Sequence, residues 1–166
     1  MSKLCRGFTL IEVMITMLIM AIISGIAVMS LQGHINQARW TRSFEQIEEL
    51  DRTARVFARR DASPYLITFS RSKRSVELHA MGINASSKSV RSFKLPTPFQ
   101  FDSFRKNTLT SSGESFAVEI AGNGQSASYA IAVGAPSGSP QWLVTLGFSG
   151  QQIRMEEAKD VAAMLR

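Results

Sequence analysis

At 166 residues, 45% of them hydrophobic and 19% charged, the chain has a foldable composition and room for one domain once its apolar N-terminal stretch is set aside. The net charge of +6 survives that division, because every basic residue except Lys3 and Arg6, and every acidic residue except Glu12, lies beyond His34. This balance permits attraction to nucleic acid, anionic lipid or an acidic partner without requiring it. The single cysteine, Cys5, excludes an intrachain disulfide and any thiolate metal cluster in the domain.

The first element runs from Val13 to Leu31, VMITMLIMAIISGIAVMSL, without one charge. As a helix rising about 1.5 Å per residue it reaches roughly 28 Å, close to the ~30 Å hydrocarbon core of a bilayer. A membrane-spanning helix is predicted, and Ser24 and Gly25 suit it, since small residues let helices approach closely in lipid. Lys3 and Arg6 precede the span, so the positive-inside bias keeps the N-terminus cytoplasmic and sends the C-terminal domain out. Two ordinary secretory readings compete: a signal peptide cut after Gly25-Ile26-Ala27, or a plain signal anchor. Neither explains Glu12. A carboxylate costs about 2.5 to 3.5 kcal/mol at the membrane centre and less near the interface, so its place at the head of an apolar run asks for a partner.

The string Gly7-Phe8-Thr9-Leu10-Ile11-Glu12, following the basic pair and leading into the apolar run, resembles the class III signal of type IV pilins and type II secretion pseudopilins. The resemblance implies that residues 1–7 are a prepilin leader, that prepilin peptidase cuts between Gly7 and Phe8, and that Phe8 is then N-methylated. It also implies that residues 8–31 form the transmembrane and filament-core helix. Glu12 becomes the fifth residue of the mature chain and pairs with the Phe8 amino group of a neighbouring subunit, since a buried charge is tolerable only when paired. The partners implied are prepilin peptidase, other pilin-like subunits and the inner membrane before assembly. The location implied is a single-pass bacterial inner-membrane protein with its head in the periplasm, and a pseudopilus after assembly.

Residues 32–60 continue as an amphipathic helix. Ile35, Trp40, Phe44, Ile47, Leu50, Ala54 and Phe57 recur at spacings of mostly three and four, while Arg39, Arg42, Glu45, Glu49, Arg52, Arg55 and Arg59 occupy the other face. After Asp61-Ala62-Ser63-Pro64 the period changes and residues 61–166 read as a β-rich head. Strands are predicted at Tyr65 to Phe69, Ser75 to Met81, Val90 to Leu95, Phe99 to Phe101, Phe116 to Ile120, Ser128 to Val133 and Trp142 to Phe148. Turns or loops separate them at Asn84 to Ser89, Gly122-Asn123-Gly124 and Gly134 to Pro140. Met155 to Arg166 reads as a helical tail with Val161, Met164 and Leu165 on one side, docked on the sheet. The fold class is α+β: a long N-terminal helix packed on small antiparallel sheets.

This layout resembles the GspH/FimT subgroup of minor pilin-like proteins. In FimT-like members an arginine-bearing motif near the C-terminus is associated with DNA binding; here Gly150-Gln151-Gln152-Ile153-Arg154 carries one arginine where that motif has two. Three further cations, Arg71, Lys73 and Arg74, occupy a predicted turn, and with Arg154 they form the candidate polyanion contact. Arg52, Arg55, Arg59 and Arg60 cluster at the end of the long helix, where cations offset the macrodipole. No cofactor or metal is expected, since His34 and His79 stand far apart without Cys partners. No phosphate loop or nucleophile elbow is present, so no enzyme is predicted. The leading reading is a minor pseudopilin of a type II secretion system, and the alternative is a minor type IV pilin whose basic surface binds DNA during uptake.

Overall fold

The structure is a computed structural model that describes residues 9–82, 89–106, 109–111, 113–134 and 139–165, without the side chains of 27–34 and 109. Gly7 and Phe8 lie outside the described residues, as do most of the loops expected at Asn84 to Ser89 and Gly134 to Pro140. The chain forms two compact units, Met1–Arg39 and Trp40–Arg166. Helix α1 (Leu10–Asp61) contributes to both.

Within the second unit, α1 buries the stripe its spacing calls for. Phe44, Ile47, Leu50 and Ala54 are all almost wholly excluded from water, and so is Ala58 one turn further on. Ala54 and Ala58 carry no side chain beyond Cβ, which lets the strands approach the helix backbone. Nine strands follow among the described residues: β1 (Tyr65–Ser70), β2 (Ser75–Ala80), β3 (Arg91–Lys94), β4 (Gln100–Lys106), β5 (Leu109–Ser111), β6 (Ser115–Ile120), β7 (Tyr129–Gly134), β8 (Gln141–Thr145) and β9 (Gln152–Met155), then α2 (Ala158–Met164). They build two antiparallel sheets, sheet A in the order β3-β2-β1-β6 and sheet B in the order β5-β4-β7-β8-β9.

The main core lies where α1 meets the inner faces of both sheets. Phe69 of β1 sits at its centre, with ring centroids 5.8 Å from Phe101, 6.1 Å from Phe104 and 6.0 Å from Tyr129. A smaller core of Ala130, Ala132, Trp142, Val144, Val161 and Leu165 closes the other face of sheet B under α2. With both faces covered, β7 is buried at every position, which is why YAIAVG carries no polar alternation.

Several elements differ from the sequence expectation. The strand expected at Phe99 to Phe101 is β4, running on to Lys106 through a bulge between Phe101 and Ser103. Phe101 and Phe104 are three apart, so a regular strand would turn them to opposite faces. The bulged residue Asp102 resets the alternation, and both rings enter the core. β9 falls where only a basic motif was noted, and β5 was not expected. In the tail, Val161 and Leu165 are buried as expected, but Met164 is exposed. Arg55, placed by periodicity on the solvated face, is buried.

Candidate assembly segment and basic surface

The N-terminal segment begins with a helix cap. Thr9 precedes α1, and its Oγ1 accepts the Glu12 backbone N–H at 3.3 Å while its carbonyl accepts the same N–H at 3.1 Å and that of Val13 at 3.3 Å. A threonine followed three residues later by glutamate is the spacing of a capping box. Glu12 therefore stands in the first helical turn, where the positive end of the macrodipole favours a carboxylate. It has this local role whatever else it does.

Beyond Glu12, the helix from Val13 to Ile26 carries no charge and presents apolar side chains on every side. Leu10, Ile11, Met14, Met17, Met20 and Ile26 are each about two-thirds exposed or more, and Val13, Ile15, Leu18, Ile19, Ile22 and Ile23 are also exposed. The Thr16 hydroxyl donates to the Val13 carbonyl at 2.9 Å, so this polar group is satisfied inside the helix. A helix hydrophobic all round is built to be surrounded by apolar material, either protein or lipid. Among the described residues no helix is long and apolar enough to cross a membrane. The end of the expected span, residues 27–31, falls within the stretch whose side chains are not described.

The four candidate polyanion residues do not form one set. Arg71 turns inward: its Nε donates to the Phe101 carbonyl at 3.0 Å and its Nη2 to the Asp102 carbonyl, and its guanidinium lies 6.0 Å from the Phe104 ring. Both acceptors lie at the β4 bulge. Arg154 pairs with Glu48 of α1 at 2.9 Å and lies over the Phe44 ring at 5.4 Å. It sits on β9, three strands from β4 in sheet B, about 14 Å at the usual spacing of strands. Lys73 and Arg74 line an open cavity with Lys94 of β3, a residue that sequence pattern did not single out.

A second feature escaped the sequence reading. Arg55 Nε donates to Asp51 Oδ2 at 2.7 Å, Nη1 to the carbonyls of Gly124 (3.0 Å) and Gly147 (2.8 Å), and Nη2 to Ser126 Oγ at 3.0 Å. The Tyr129 hydroxyl donates to Asp51 Oδ1 at 2.9 Å. One buried guanidinium thus holds the β6–β7 and β8–β9 loops against α1. Glycine is required at 147, where a Cβ would lie 2.0 Å from the Ser126 carbonyl oxygen. Burial, and then the Asp51 carboxylate, push the Tyr129 hydroxyl well above its ordinary pKa. The sequence signal available was the i,i+4 spacing of Asp51 and Arg55, which reads equally well as a surface pair.

At the surface end of α1, Arg60 donates to Asp61 at 2.7 Å and Tyr65 donates to the same carboxylate at 2.6 Å. The hydrogen bonds from Arg60 and then Tyr65 hold Asp61 below the usual carboxylate range, and the bond to Asp61, followed by burial, raises Tyr65. His79 Nε2 lies 3.3 Å from Glu77, its neighbour on the same face of β2. Among the described residues no group of three His, Cys, Asp or Glu side chains is placed to hold a metal ion.

Comparison with known proteins bears on both units. Residues 2–28 match the prokaryotic N-terminal methylation motif. Two solved structures of the minor pseudopilin EpsH from the type II secretion system of Vibrio cholerae share the fold. One aligns with a TM-score of 0.57 at 8% identity, covering 72% of this chain and 97% of that one. The other aligns at 0.54 and 7% identity, covering 68% and 93%. A search of curated proteins found no match. The chain thus combines the N-terminal methylation motif with a fold shared with a minor pseudopilin.

Proposed function

We propose that the chain is a minor pseudopilin of the GspH/FimT kind, a structural subunit of a type II secretion pseudopilus. The observation that carries this reading is the N-terminal methylation motif lying on a helix whose apolar side chains are exposed on all sides. On this reading prepilin peptidase removes residues 1–7 after Gly7 and methylates Phe8. Cleavage on the cytoplasmic side keeps the apolar helix attached, so residues 8–31 anchor the precursor in the inner membrane and later pack in the filament. Residues 32–60 carry the helix into the periplasmic head of residues 61–166.

Glu12 has two tasks in this account. It completes the first turn of α1, and in the filament it meets the methylated amino group of Phe8 on a neighbouring subunit, which fixes the axial register. The test separates processing from assembly. Glu12→Ala is expected to be cleaved normally while its share of the sheared filament fraction falls at least several-fold. Undiminished incorporation removes the filament role of Glu12 and leaves the cap.

The alternative, DNA capture during uptake, is favoured by one observation: Lys73, Arg74 and Lys94 border one open surface. Arg71 and Arg154 are engaged with protein groups and add little to it. Electrophoretic shifts at about 0.15 M salt, abolished by neutralising Lys73 and Arg74, would support DNA capture. Shifts that vanish on modest addition of salt would mark non-specific attraction.

A further inference from the structure

A cavity of about 480 Å³ opens where the β1–β2 turn meets β3. Its wall carries three cations, Lys73, Arg74 and Lys94, and three hydroxyls, Ser72, Ser75 and Ser92. Strand register explains the convergence. Across the β2–β3 pair, Ser75 stands opposite Lys94 and Glu77 opposite Ser92, on the face away from Val76 and Leu78, which enter the core.

The turn is held for this arrangement. Arg74 has φ 51, in the left-handed region that a residue of its type seldom adopts. Its N–H donates to the Arg71 carbonyl at 3.2 Å, its own carbonyl accepts the Leu95 N–H at 2.8 Å, and its Nη1 donates to Thr97 Oγ1 at 3.3 Å.

The charges are not balanced from within. The one carboxylate in the wall, Glu77, already accepts the Ser75 hydroxyl at 3.3 Å and lies 3.3 Å from His79. Among the described residues Lys73 and Lys94 form no ion pair, whereas Arg91 pairs with Glu49, Arg154 with Glu48 and Lys159 with Glu157. Three cations less one carboxylate leave two net positive charges.

From this geometry we infer that the cavity binds a phosphate monoester group. Such a group carries about −1.5 to −2 charge at neutral pH and three acceptor oxygens, matching the net charge and the mixed ammonium, guanidinium and hydroxyl donors of the wall. A diester carries one charge and leaves the site unbalanced. The site is built wholly from residues of the second unit and holds or falls independently of the filament reading.

The test uses the full chain in uncharged detergent at about 50 mM salt, titrated with inorganic phosphate in a calorimeter. Saturable binding in the millimolar range or tighter is expected. Lys73→Gln with Lys94→Gln should weaken it about tenfold or more, as loss of charge-assisted hydrogen bonds requires. The charge-keeping pair Lys73→Arg and Lys94→Arg should retain it, and Lys159→Gln should leave it unchanged. Flotation with phosphatidic acid vesicles tells the two sources apart. Adhesion that phosphate displaces assigns a lipid monoester, and phosphate binding without adhesion assigns a soluble one. Absence of saturable binding overturns the inference, as does wild-type affinity in the doubly neutralised protein or stronger binding of a phosphodiester than of phosphate.

Discussion

Leu10 to Ile26 and Trp40 to Asp61 are both helical, yet they treat their apolar side chains in opposite ways. The first stretch leaves isoleucines, leucines and methionines exposed around its whole circumference, whereas the second gathers Phe44, Ile47, Leu50, Ala54 and Ala58 into one buried stripe. The second stretch is satisfied by its own sheets. The first has apolar surface that the described residues of its own unit do not cover, and it coincides with the N-terminal methylation motif. A helix that finishes folding only among other molecules is consistent with a subunit, and a helix that finishes within the chain is consistent with a head that keeps its shape before and after assembly.

Breaking the two stretches should therefore have separable consequences. The largest effect is expected at the leader: Gly7→Trp should leave an unprocessed, membrane-bound precursor, with the thermal midpoint of the head unchanged. Immunoblotting for the size of the product checks this, and normal-sized mature protein from the variant would remove the peptidase assignment.

Next come the head's own supports. Phe69→Ala should cost about 3 to 5 kcal/mol in chemical unfolding, the range for deleting a buried aromatic ring. It should leave N-terminal processing intact. Arg55→Met should cost a similar 3 to 5 kcal/mol, because it strands the Asp51 carboxylate in the interior. Replacing Asp51 and Arg55 together by apolar residues should cost less than Arg55→Met alone, which a double-mutant cycle measures.

The smallest effect is titration at the helix end. Arg60 and Tyr65 lower the Asp61 pKa, so its folded value lies below the unfolded one, near 3.9. Its contribution is fully present above about pH 4 and lost as the pH falls through the depressed value. Asp61→Asn should lower the unfolding midpoint slightly at neutral pH, where the contribution is present, leave it unchanged at pH below the depressed pKa, and so flatten the acid limb of a plot of midpoint against pH. An identical acid limb in the variant would assign that limb to other carboxylates.

What could be read from the sequence follows the same division. The apolar run, Glu12 and the stripe on α1 were legible because each depends on residues close in sequence, through length, charge or helical period. Arg55 was not legible. Helical period assigns a face, but the Gly124 and Gly147 carbonyls that enclose this guanidinium arrive on loops far along the chain. The strand expected at Phe99 to Phe101 stopped short for a similar reason, since the bulge that carries β4 on to Phe104 meets Arg71 of the β1–β2 turn, far away in sequence. Arg71 and Arg154 looked like surface charge because sequence shows a side chain's sign and not its partner. Lys94 was passed over because its neighbour in the cavity is the β1–β2 turn, a relation that only strand register creates.

The most direct test of the account is intact mass with N-terminal sequencing of protein extracted from membranes of a host that carries prepilin peptidase. The account predicts a mature chain beginning at N-methylated Phe8. A chain beginning after Ala27, or one still carrying Met1 and the leader, would contradict it.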